Sequence, residues 1–169
     1  LLTMEKVFTE AIKANHKYIL VCDDDIGITP GFIYKFDEMI RILPKFRILM
    51  LGSSQWNWDK ITYGYKHYIP TVSSNGSFCT IYHKTTFNQI LHYVKTMMVP
   101  FDSVSTKKMF QLNSSYVAFP NLAIAQLEQS NIIKISKQRS YEKFKWDKKL
   151  YQFPVNINDS FLVHKVEKP

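Results

Sequence analysis

The sequence predicts a single α/β domain spanning residues 1–169, a mainly parallel central sheet flanked by helices. Two short apolar runs, at residues 18–22 and 48–51, have the length and bulk of strands buried on both sides. Stretches of helical period lie between and around them, so strands and helices alternate along the chain. A composition of 46% hydrophobic and 21% charged residues over 169 positions supports one substantial core and excludes a disordered tail.

The elements follow in order. Over residues 2–15, Met4, Val7, Phe8, Ala11 and Ile12 fall near one helical face. Residues 18–22 form the first strand, which runs into Asp23, Asp24 and Asp25. Pro30-Gly31 opens a second helix that reaches Leu43, and Pro44 stops it because proline lacks the backbone donor a helix interior requires. Residues 47–51 are a second buried strand, closed by Gly52. The aromatic, polar stretch 53–71 reads as a long loop or a pair of irregular strands. Residues 78–82 are a further strand, 85–99 a helix, and 116–119 a strand ended by Pro120. The part from 138 to 169 is basic, aromatic and irregular.

A net charge of +8 with a pI near 9.4 fits nucleic acid, an anionic membrane surface or a small phosphorylated ligand. The lysines are scattered, with modest concentrations at Lys107–Lys108 and from Lys134 to Lys149, and they form neither a dense basic run nor a recognised nucleic-acid module. A basic surface around a diphosphate site is one expectation and nonspecific solubility charge the other, with peripheral membrane contact as a further option. The longest apolar runs are too short to cross a bilayer. Cys22 and Cys79 lack metal-ligand spacing and are expected to be buried free thiols without a disulfide. Asn-x-Ser/Thr triplets begin at Asn75, Asn113 and Asn158, but such triplets alone do not establish secretion.

Three consecutive carboxylates after an apolar strand call for a cation or for a solvated turn. In an extended strand Asp23 and Asp25 share a face, and carboxylates held together repel unless neutralised. Mn²⁺ or Mg²⁺ prefers hard oxygen ligands, which one or two carboxylates and a diphosphate together supply. The other readings are a turn, or a cap for the helix near Pro30. Open α/β sheets bind ligands beyond the carboxyl ends of their strands, which favours the metal.

Several segments, in order, resemble glycosyltransferase family 25, the group of bacterial lipopolysaccharide glycosyltransferases and animal collagen galactosyltransferases. Tyr18-Ile-Leu-Val-Cys-Asp-Asp-Asp-Ile26 is similar to the family's strand leading into Glu-Asp-Asp, with Asp23 replacing Glu. Leu43-Pro-Lys-Phe-Arg-Ile-Leu-Met-Leu-Gly52 resembles its second strand, with Phe46-Arg47 where Trp-Asp is frequent. Ser74-Asn-Gly-Ser-Phe-Cys-Thr-Ile-Tyr82 resembles its Gly-containing strand, and Val99-Pro-Phe-Asp102 its Pro-Val-Asp element. The 118–126 segment followed by Gln129-Ser-Asn-Ile132 resembles its Pro…Gln…Ser-Asp-Ile segment, with Asn131 replacing Asp. The likeness covers most of residues 1–135.

The resemblance implies a GT-A-like fold, here without part of the N-terminal nucleotide-binding region. It also implies a UDP-sugar donor, galactose or glucose as the transferred hexose, and metal-assisted transfer with inversion. The acceptor would be a glycan or a hydroxylysine-type protein side chain. Relatives work in the cytoplasm or, in animals, in the secretory lumen. Asp23 and Asp25 are the expected metal ligands, with Asp24 orienting the sugar or a metal-bound water and able to exchange roles with its neighbours. Asp102 is the candidate base, or alternatively a helix N-cap. Gly76 and Ser77 are expected at the donor, or else reflect strand geometry or a bulge. Gln126 and Ser130 are expected beside them, or else at a surface helix end. His83 and His164 are candidate extra ligands, though a lone His is more often structural or exposed. Trp56, Trp58, Tyr63 and Tyr65 are candidate sugar-stacking rings but more readily core packing or loop anchors. Lys137 and Arg139 are candidate diphosphate contacts but more readily solvated surface charge. A non-catalytic sugar-binding or scaffold relative, and a nucleic-acid binder suggested by charge alone, are the competing functions.

Overall fold

The computed structural model describes residues 2–96, 101, 114–127 and 141–153. Helix α1 (Leu2–Lys13) ends in a Schellman motif: Asn15 takes a left-handed φ of 51°, Asn15 N–H donates to Ile12 O and His16 N–H to Ala11 O. Strand β1 (Tyr18–Cys22) follows, then β2 (Ile26–Ile28) and α2 (Phe32–Ile42). Helix α2 stops where Leu43 turns extended, the backbone that a residue before proline is forced toward. Then come β3 (Ile48–Met50), β4 (Ser54–Gln55), the β5–β6 hairpin (Thr62–Gly64 and His67–Ile69), β7 (Ser74–Asn75) and β8 (Cys79–His83). Helix α3 (Phe87–Thr96), β9 (Ser115–Ala118) and β10 (Ala123–Ala125) complete the main elements.

The main sheet has six strands in the order β1-β8-β3-β9-β6-β5. Among the described residues only β3 and β9 pair in parallel; the other neighbours are antiparallel. The expected mainly parallel sheet is therefore corrected to a mixed, mostly antiparallel one. The reason lies in the connections. A helical crossover through α2 returns β3 in the same direction as β1, but the two are not neighbours. The excursion through β4 to β7 brings the chain back reversed, and β8 inserts between them. Two small antiparallel pairs, β2–β10 and β4–β7, stand beside the main sheet.

Both faces of the sheet are covered. Ile48, Met50, Tyr82 and Val117 face one way, against Phe8 and Ala11 of α1 and Phe87, Ile90 and Val94 of α3. Leu49, Leu51, Cys79 and Ile81 face the other, against Met39 of α2, the β2–β10 pair, and Phe144 and Trp146. The stretch from Tyr141 to Phe153 contains a short 3-10 helix at Lys148–Leu150 and a bridge from Gln152 to Ile28, and Phe144 and Trp146 are part of this core. A second correction concerns β1. It is an edge strand with Tyr18, Leu20 and Cys22 exposed, rather than a strand buried on both sides. Among the described residues no helix is long and apolar enough to cross a membrane.

Candidate functional site at the acidic turn

Strand β1 ends at Cys22, and the ladder extends one residue further because Asp23 N–H donates to Phe78 O at 2.8 Å. Asp24 and Asp25 then form a turn that reverses the chain into β2. The second leg is pinned by Gln126 N–H, which donates to Asp25 O at 3.0 Å just beyond the β2–β10 pairing. All three aspartates are exposed. They sit in a turn, so the strand alternation expected to set Asp23 and Asp25 on one face does not govern them. Nor do they cap α2, whose N-cap is Gly31 with a left-handed φ of 68° and no side-chain cap bond.

The amino end of β8 reaches the same place from the opposite direction. Gly76 has a φ of 94°, and a Cβ there would lie 2.7 Å from the Phe78 ring. Its identity thus follows from backbone conformation and the packing of Phe78. Ser77 is half-buried between them. Backbone hydrogen bonds therefore gather the 23–25 turn, the 76–78 segment and Gln126 at one end of the sheet, although these residues are far apart in sequence.

Residues that the sequence reading passed over brace this arrangement from behind. Tyr151 donates its hydroxyl to Asn121 O at 2.7 Å, Asn121 donates Nδ2–H to Ser53 O at 3.3 Å, and Ser53 donates to Asn75 O at 3.0 Å. The nearest sequence signal was polar: Ser53 and Asn121 directly follow Gly52 and Pro120 at strand ends, where buried polar groups must find partners. Gly52 is equally constrained, since its missing Cβ would run into the Ala123 carbonyl oxygen, and Leu122 and Ala123 both donate N–H to Leu51 O.

Electrostatically the turn is acidic and solvated. Among the described residues Asp24 and Asp25 carry no ion pair. No group of three or more His, Cys, Asp or Glu side chains among them is arranged to hold a metal. The described residues of the turn can therefore offer a cation one or two carboxylates, with a ligand's oxygens able to supply further ligands. Beside the turn, the hydrogen bond with Cys79 holds the Cys22 thiol below its ordinary value. The same bond, with burial, pushes Cys79 well above it.

Other expected site residues lie elsewhere. His83 pairs with Tyr18 at the far end of β1, about 14 Å from Cys22 at strand spacing, so it is not a ligand of the 23–25 turn. It borders a cleft of about 680 Å³ lined by Lys17, Tyr18, Lys45, Phe46 and Arg47. Burial and the charges of Lys17, Lys84 and Arg47 lower its pKa. Trp56 packs edge-on to Phe144 at 5.0 Å, and Trp58 and Tyr63 pack around Tyr68 and Phe119. These rings are anchors of the hairpin and core. Tyr65 is exposed. Asp102, Ser130, Lys137, Arg139 and His164 lie outside the described residues. No protein-family model matches the chain, and no curated protein matches it.

Proposed function

We propose that this chain is the catalytic part of a metal-dependent glycosyltransferase. It would move a hexose from a UDP-sugar to a hydroxyl of a glycan or protein acceptor, with inversion. One observation carries the reading: the acidic turn, the Gly76 segment and Gln126, each singled out by motif resemblance, converge at one end of the sheet.

Mn²⁺ or Mg²⁺ fits the residues present, because the exposed carboxylates are hard oxygen donors and such ions commonly take the remainder of their shell from phosphate oxygens and water. When bound, the ion neutralises charge that builds on the diphosphate as the nucleotide departs. Asp23 and Asp25 hold it, and Asp24 accepts hydrogen bonds from the sugar hydroxyls. Gly76, whose left-handed backbone shapes the segment before β8, places Ser77 beside the sugar, with Gln126 alongside. Asp102 serves as the base that takes the proton from the acceptor hydroxyl as its oxygen attacks the anomeric carbon.

The test is calorimetric titration of the full-length protein with UDP in the presence and absence of Mn²⁺. Loss of outer-shell partners already costs roughly 10–100-fold in metal affinity, so Asp25→Asn should weaken Mn²⁺-dependent UDP binding by at least that upper figure. Because Asp25 is exposed and unpaired among the described residues, folding stability should change by no more than about 0.5 kcal/mol. UDP binding that ignores Mn²⁺ would reject the metal assignment. Metal-dependent binding of UDP-sugars without turnover would instead identify a non-catalytic relative.

A further inference from the structure

Cys22 is the last residue of β1 and Cys79 the first of β8, and the antiparallel register sets them directly opposite each other. Their sulfur atoms are 3.0 Å apart. The next pair along, Asp23 and Phe78, is joined by a ladder hydrogen bond, so Cys22 and Cys79 occupy a non-hydrogen-bonded position. Cα atoms at such a position are about 4.5 Å apart, inside the roughly 4.4–6.8 Å range that a disulfide spans. Bridging the two sulfurs therefore requires no movement of the strands. The pair is also asymmetric in access: Cys22 is exposed, whereas Cys79 is buried beneath it.

We propose that Cys22 and Cys79 are a dithiol that oxidises to an intramolecular disulfide, fixing the root of the 23–25 turn to the first residue of β8. The oxidant is a small soluble disulfide such as oxidised glutathione. Cys22 gives its proton to solvent, and its sulfur attacks one sulfur of the oxidant, breaking that S–S bond and releasing one glutathione thiolate. Cys79 then gives up its proton and attacks Cys22 Sγ, forming the protein S–S bond and expelling the second thiolate. Two protein thiols are oxidised, one disulfide is reduced, and the released protons balance the two thiolates. The cross-link joins residues 57 positions apart, so it also removes freedom from the unfolded chain. This inference is independent of the glycosyltransferase reading, since it rests on strand register and access alone.

The experiment equilibrates the full-length protein in glutathione buffers of increasing oxidation, quenches with an alkylating reagent, and reads intact mass, linked peptides and melting temperature. The expected result is loss of both alkylatable thiols in one step and recovery of a Cys22–Cys79 linked peptide. Tm should rise on oxidation and fall back with dithiothreitol. Cys22→Ser, at an exposed position, should fold normally and show no oxidant-dependent Tm shift. Cys79→Ser should stall with glutathione attached to Cys22. A wild-type protein that accumulates glutathione on Cys22 while Cys79 stays a free thiol would overturn the proposal. So would cross-linking only between chains.

Discussion

Gly52 shows what a single residue decides in this molecule. A methyl group there would meet the Ala123 carbonyl oxygen and stand 2.9 Å from both the Ala123 carbonyl carbon and the Phe78 ring. Two backbone segments cross at that point and cannot both withdraw, because Leu51 O accepts from Leu122 and Ala123. Gly52→Ala should therefore cost about 3 kcal/mol, at the upper end of overpacking penalties, read as a lower urea midpoint at unchanged m value. From sequence Gly52 was legible as a strand stop, but not as a crossing, since the partner carbonyl lies some seventy positions away. The aspartates were legible as an acidic cluster following β1, and their anchoring was not. Cys22 was misread as buried because an apolar run does not reveal that its strand lies at a sheet edge.

Among the elements, α2 is the clearest case of local chemistry setting boundaries. Gly31 starts it and Pro44 ends it, and its inner residue Met39 is buried against the β2–β10 side of the sheet. Met39→Ala should cost about 2–5 kcal/mol through lost burial and the cavity left behind. Ile33→Ala, at a position 65% exposed on the same helix, should stay within about 0.5 kcal/mol by the same urea measurement. If both cost the same, α2 is not docked by the Met39 face. Strand β3 was readable because Ile48, Leu49 and Met50 are buried on both faces, which demands a continuous apolar run. Strands β2 and β10 were not, since Ile26-Gly27-Ile28 and Ala123-Ile124-Ala125 are too short to show a period and exist by pairing with each other.

Across the whole molecule, burial of phenols links folding to alkaline pH. Burial raises the pKa of Tyr68 and Tyr82, and pushes Tyr151 up to about 12. A raised folded value means the native state keeps protons that the unfolded chain gives up above about pH 10, so stability is full below that pH and falls above it. Each such tyrosine should remove up to about 1.4 kcal/mol per pH unit until its folded value is reached. Urea midpoints should hold up to about pH 10 and fall from there to pH 12, and Tyr151→Phe should lessen that slope; a flat profile above pH 10 would contradict the burial of these hydroxyls. By itself the sequence determined the helices, the apolar strands at 48–50 and 79–83, the acidic cluster and the absence of a long apolar span among the described helices. These depend on composition and spacing within a few residues. Only the tertiary structure decided that β8 enters antiparallel between β1 and β3, that Phe144 and Trp146 join the core, that Cys79 faces Cys22, and that Phe78 and Gln126 meet the acidic turn. Strand direction and neighbour choice depend on contacts between distant segments, and no local pattern encodes which of them will pair.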